Sequence, residues 1–142
     1  ISKEEALYEI QKRSDSYYHN PMNHLDNLTI GKTCWEDKRR QTIPYGRGFF
    51  YLANLDVKIK NQTNGKINLD DIVIAFIQRE RQNLPINNQT FFELVEKMTG
   101  LNDLDDFKAM ERGEIFYPLN GSFDGLFTIN IDKNNEIIWN CK

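Results

Sequence analysis

Between Phe49 and Ile59 the chain reads Phe-Phe-Tyr-Leu-Ala-Asn-Leu-Asp-Val-Lys-Ile. Apolar residues fall on nearly every face of a helix drawn through this stretch, most densely in its first half. A helix without a polar side is stable only when other elements surround it. The sequence therefore predicts a central helix over about 45–61, and the remaining apolar stripes must wrap around it. With 142 residues there is enough chain for one ordinary domain built in this way and too little to expect two.

The flanking segments supply such stripes. Ser2 and Glu5 form a capping box at the start of a first helix, whose stripe of Leu7, Ile10, Ser14, Tyr17 and Tyr18 must stop before Pro21. Residues 20–44 read as a long loop broken by Asn20-Pro21, Gly31 and Pro44, with Leu28/Ile30 and Trp35 as anchors to a core. After the turn at Asn64-Gly65, Asn68 is placed to cap a helix. Asp70 and Asp71 fall in its first turn, and Leu69, Ile72, Val73, Phe76 and Ile77 form a regular stripe before the exit at Pro85. A further helix starts at Thr90, with Glu93 completing a capping box, and ends at Gly100. A short one follows Asp103 and ends at Gly113. Beyond Pro118 the period changes: Leu126–Ile131 and Glu136–Asn140 read as strands joined through Asp132-Lys133-Asn134-Asn135. The expectation is a mainly α domain over 1–142, a bundle of about five helices with a β-hairpin appended at 122–142. An isolated hairpin is marginal, so this one must pack on the helices or pair with further strands.

Charge and motif content narrow the function. The net charge of −3 argues against a nucleic-acid partner, and no apolar run is long enough for a membrane span. Cys34 and Cys141 are too few for a disulfide framework; they read as two buried thiols or, in an oxidising compartment, as one long-range pair. The chain opens at Ile1 without a visible signal peptide, which suggests a processed or excised piece and leaves the compartment unassigned. His19 and His24 are five apart across a proline and lack helical zinc-pair spacing, so they read as loop residues. Phosphate-binding glycine loops and the G-x-S-x-G elbow are absent. Asp70-Asp71 and Asp105-Asp106 read as helix-terminus carboxylates, and Lys38-Arg39-Arg40 as a solvated basic face of the loop. The segment that stands apart is Pro44-Tyr45-Gly46-Arg47-Gly48. It sets a tyrosine and an arginine at the mouth of the buried helix, and the two glycines permit close approach of backbone or ligand; simple punctuation of a loop by a helix start is the plainer alternative.

Further pieces follow that segment in order: Leu55-Asp56-Val57-Lys58-Ile59, Thr63-Asn64-Gly65-Lys66, Leu69-Asp70-Asp71-Ile72, Met98-Thr99-Gly100, Phe107 and Arg112-Gly113. Together they resemble the C-terminal helical part of the catalytic unit in the glycyl-aminopeptidase family of zinc metallopeptidases, a gluzincin family. Its pattern runs P-Y-x-R-G, L-D-x-x-I-R, T-G-G-K-x-S-L-D-D, T-G, F-x-x-x-V-x-G. The resemblance covers Trp35 to Gly113; its departures include Asn68, where the family has serine, and Glu111, where it has valine. It implies a helical lobe forming one wall of a peptide-binding cleft, and zinc in the full-length protein. The zinc would be carried by an H-E-x-x-H motif in an upstream catalytic domain of the same polypeptide. Tyr45 inherits the role of hydrogen-bonding the developing oxyanion of a peptide substrate. Arg47, with Gly48 beside it, inherits either contact with a substrate carboxylate or, the preferred reading, an ion pair supporting the lobe. The chain holds no metal-ligand motif of its own and by this mechanism is inactive alone. A non-catalytic helical module that binds a peptide or protein through the aromatic-rich stretch Phe49–Tyr51 is the alternative.

Overall fold

The computed structural model describes residues 1–142 and is mainly α-helical, with a C-terminal antiparallel β-hairpin. Seven helical segments run in order: α1 (Lys3–Tyr18), α2 (Asn27–Thr33), α3 (Lys38–Gln41), α4 (Ile43–Gln62), α5 (Leu69–Arg81), α6 (Asn88–Thr99) and α7 (Leu104–Glu111). A single 3₁₀ turn at Phe123–Gly125 precedes β1 (Phe127–Ile131) and β2 (Ile137–Cys141). No helix is long and apolar enough to cross a membrane.

The capping chemistry sets most of the boundaries. Ser2 and Glu5 make the expected reciprocal box on α1, and Asn68 caps α5, with Asp71 returning the bond. Gly100 closes α6 in the left-handed conformation at φ 79°. Three boundaries differ from the sequence expectation. Helix α4 starts two residues earlier, at Ile43, because a proline in the first helical turn loses no bond it could have made. Helix α6 starts at Asn88, because Asn87 and Thr90 form the box and Thr90 is its third residue rather than its cap. The segment 20–44 is not one loop: Asp26 accepts from the Thr29 N–H at 2.6 Å and nucleates α2, and Asp37 caps the single turn α3.

Helix α4 divides the interior. On one side Phe50 and Ile43 pack with Ile10 and Tyr17 of α1, Ile30 of α2, and Phe127, Ile137 and Trp139 of the hairpin. On the other, Tyr51, Leu55 and Ile59 pack with Ile72, Phe92, Leu94, Val95 and Met110. Burial around α4 is incomplete, since Tyr45 and Leu52 project into solvent. Leu28 and Trp35 do not anchor their segment: they are 69% and 75% exposed, and of the three expected anchors Ile30 alone is buried. The hairpin is docked on α1. The Gln11 side chain donates to the Ile137 carbonyl and accepts the Trp139 N–H, both at 2.9 Å. The Asp132 carboxylate organises the turn by accepting from the Asn134 and Glu136 N–H groups.

Helices α1 and α4 approach closely because residue 46 has no side chain. A β-carbon there would lie 2.8 Å from Cβ of Tyr17, whereas one at residue 48 would meet nothing within 4 Å. Gly46→Ala is therefore expected to destabilise the fold by roughly 1–3 kcal/mol through overpacking. Gly48→Ala is expected to stabilise it by roughly 0.5–1 kcal/mol, the helix-interior cost of glycine. Urea unfolding of the two variants should shift in opposite directions.

Candidate functional site

Pro44 lies in the first turn of α4, and Tyr45 beside it projects outward. Tyr45 is 76% exposed, and its phenol has no hydrogen-bond partner in the chain. Its ring separates two clefts. The larger, about 610 Å³, is lined by Asn27, Ile30, Gly31 and Cys34 of the α2 segment together with Gln41 and Pro44. The smaller, about 250 Å³, lies against α1 and is lined by Glu9, Lys12, Arg13, Ser16 and Tyr17, with Thr42 and Gly46.

Arg47, two residues on, faces the interior and is 2% exposed. Its guanidinium meets no carboxylate within ion-pair distance, so the preferred ion-pair reading of Arg47 is corrected. Nη2 donates to the carbonyls of Asn23 at 2.8 Å and Leu25 at 2.7 Å, and Nη1 donates to Oδ1 of Asn27 at 2.6 Å. An arginine can serve three acceptors at once because its donors form a fixed planar fork. The same strand of loop is pressed from its other side by Gly113, at φ 94°, where a β-carbon would fall onto the His24 carbonyl. Arg47 thus organises the segment that walls the larger cleft and is itself withdrawn from that cleft. Gly48 lines neither cleft.

A second polar cluster joins α4 to α7, one the sequence reading missed. Asp103, expected only to precede a helix, makes no side-chain cap; its buried carboxylate accepts from the Tyr51 hydroxyl at 2.7 Å and from Lys58 Nζ at 2.9 Å. Lys58 also reaches Asp106 at 2.8 Å. Tyr51 and Lys58 are seven apart on one helical face, and Asp103 and Asp106 are three apart; that spacing was the available signal. Burial, reinforced by the bond to Asp103, raises the Tyr51 pKa. Burial opposes the Lys58 ammonium, but its bonds to Asp103 and Asp106 outweigh that effect and raise its pKa. On the opposite flank of α4, Lys60 bridges Asp56 and Asp124, which raise its pKa, at the edge of a cleft of about 310 Å³.

The remaining candidates fall elsewhere. His19 lies 3.9 Å from Glu136, and His24 contributes its carbonyl to the contact with Gly113. No group of three or more His, Cys, Asp or Glu side chains is arranged to hold a metal ion. Arg39 and Arg40 are paired with Asp37 and Glu36, so the basic run is largely neutralised within its own turn. Hydrogen bonding from Arg39 holds the Asp37 carboxyl down at about 2. Both cysteines are free; Cys34 is half-buried at the larger cleft and Cys141 is exposed, which corrects the reading of two buried thiols. Phe50 and Tyr51 are core residues and offer no aromatic surface to a partner.

No family model matches this chain, and no curated protein resembles it at a significant level.

Two outcomes follow from these clusters. Arg47→Lys keeps the charge but loses the fork, and should destabilise the fold by roughly 2–4 kcal/mol. Hydrogen exchange of residues 23–27 should accelerate more than that of α5 and α6. The raised pKa values of Lys58 and Tyr51 mean that the folded state holds protons which the unfolded chain releases near pH 10. Their contribution to stability is complete below that pH and is lost as pH rises past it. The urea midpoint should therefore fall between pH 9 and pH 11, and fall less steeply in Lys58→Met/Tyr51→Phe.

Proposed function

We propose that this chain is the helical lobe of a zinc aminopeptidase of the glycyl-aminopeptidase kind. It would form one wall of the cleft and present Tyr45 to the scissile carbonyl. The observation that supports this reading is the free, exposed phenol of Tyr45 on the first turn of α4 between two clefts, with the neighbouring arginine bonded in the interior. A hydroxyl without a partner in its own chain can donate to charge that develops on a substrate oxygen, and no internal bond must first be broken. The side chains of these residues do not form a zinc site. In this reading the metal and its ligands belong to an upstream catalytic domain, and the peptide substrate lies between the two parts.

In the enzyme carrying both parts, Tyr45→Phe is expected to lower kcat about 100-fold, the effect of removing one oxyanion donor, with KM and the unfolding midpoint little changed. Full activity in that variant would remove Tyr45 from the mechanism. Absence of zinc-dependent peptidase activity from the complete polypeptide would remove the lobe reading altogether.

A second reading, a non-catalytic peptide-binding module, draws support from a different surface than Phe49–Tyr51. Leu28, Trp35 and Tyr45 are all strongly exposed, and the first two lie on the α2 segment that walls the larger cleft. It requires the isolated chain to bind peptides with an affinity that Trp35→Ala abolishes.

A further inference from the structure

The two edges of the hairpin are treated differently. The Lys142 N–H donates to the Leu126 carbonyl at 3.2 Å, and the Asp132 N–H donates to the Glu136 carbonyl at 3.1 Å. With Ile129 opposite Trp139, these bonds fix the parity of the ladder. The even-numbered residues of β1 bond to β2, and the N–H and C=O groups of Phe127, Ile129 and Ile131 point away from it. On β2 the outward groups belong to Ile137, Trp139 and Cys141. The primary amide of Gln11 takes two of them, donating to Ile137 and accepting from Trp139, as a neighbouring strand would.

The edge of β1 has no such cover. No other strand pairs with it, and no side chain or backbone group of the chain bonds to the outward groups of Phe127, Ile129 or Ile131. The devices that normally protect an edge are missing as well: the strand Phe-Thr-Ile-Asn-Ile carries no lysine, no proline and no charge. Leu126, Ile131 and Ile138 remain exposed around it. Unpaired donors and acceptors at strand spacing are recognised by another extended backbone.

We propose that the edge of β1 pairs antiparallel with β1 of a second copy of this chain, centred on Ile129, to give a continuous four-stranded sheet in the order β2-β1-β1-β2. The strand is self-complementary in that register. Ile129 meets Ile129 of the other copy, Phe127 meets Ile131, Thr128 meets Asn130, and Asp132 falls opposite Leu126, so no like charges face each other. The outward-pointing residues 127, 129 and 131 are then the directly opposed, hydrogen-bonded pairs, each exchanging both backbone bonds. Such pairing about a two-fold axis closes after two copies. It also extends a two-stranded ribbon, marginal by itself, to a sheet of four strands. This inference stands on the hairpin alone and is independent of the role given to Tyr45.

Sedimentation of the 142-residue chain from micromolar to millimolar concentration tests the proposal. The wild-type chain is expected to form a dimer, and amide exchange at Phe127, Ile129 and Ile131 should slow as the dimer fills. Thr128 and Asn130 are exposed, so charges there leave the fold intact. Thr128→Lys/Asn130→Lys sets lysine opposite lysine in the proposed register and should weaken association by roughly tenfold or more. Thr128→Glu/Asn130→Glu should do the same, and an equimolar mixture of the two variants should associate again. A wild-type chain that stays monomeric throughout would overturn the proposal. So would charged variants that still self-associate, or a mixture that fails to recover.

Discussion

The interior of this protein is organised around a positive charge with no carboxylate at ion-pair distance. Arg47 carries its guanidinium into the space between α1, α2 and α4, and three oxygens of residues 23–27 receive it, two of them backbone carbonyls. A buried charge is tolerable only when its donors are satisfied, so the loop must follow the shape of the fork. Gly113 then closes the far side of the same loop, where any side chain would collide with the His24 carbonyl. Between them these residues tie the end of α1, the start of α2 and the exit of α7 to the first turn of α4. The path of residues 20–26 is thereby set by two contacts far apart in sequence together with local turn bonds, such as that from the Met22 N–H to the Asn20 side chain.

Everything else is arranged about the helix that carries this arginine. Its aromatic side packs against Tyr17, Tyr18 and Trp139, and its far side packs against the α5–α7 group, where Tyr51 and Lys58 hold Asp103. The two apolar clusters share one wall, and a displacement of α4 would disturb both. Tyr45 sits at the solvent end of that wall. The backbone turn that carries it is fixed by Arg47 and Gly46, one through hydrogen bonds and the other through the close approach of α1.

How much of this could be read in the sequence depended on the range of the interaction concerned. Helices α1 and α5 and the hairpin announce themselves through caps and periodicity, because each signal lies within one or two turns of the structure it specifies. Helix α2 was hidden by its length: Asp26 and Thr29 carried a cap signal, but seven residues containing Gly31 give no stripe to support it. Trp35 illustrates the opposite error, since large aromatic character suggested an anchor and the ring lies in solvent, its indole N–H bonded to the Lys32 carbonyl. Asp103 shows a third case. It marks the start of α7 in the sequence, and its carboxylate is taken by Tyr51 and Lys58, 52 and 45 residues away. In the candidate site, the placing of Tyr45 at the start of the central helix was legible in the sequence. The carbonyl acceptors of Arg47 were not, because no side-chain pattern records where a backbone oxygen will point.

The contrast between satisfied and unsatisfied groups gives the surface its meaning. Inside the molecule nearly every polar atom has a partner, and the exceptions are single atoms: the Ser14 hydroxyl, the indole N–H of Trp139 and one nitrogen each on Arg40 and Arg79. A buried orphan of this kind costs about 1–3 kcal/mol and is a burden on the fold. The free phenol of Tyr45 and the outward backbone of β1 are different, because water satisfies them at no cost to folding. Such groups do nothing for the stability of the isolated chain, yet both lie on elements packed into the core through other residues, Phe50 on α4 and Phe127 on β1. The outward backbone of β1 is already ordered in its ladder, so pairing there costs little further entropy, whereas the exposed Tyr45 side chain gives up rotamer freedom when it meets a ligand.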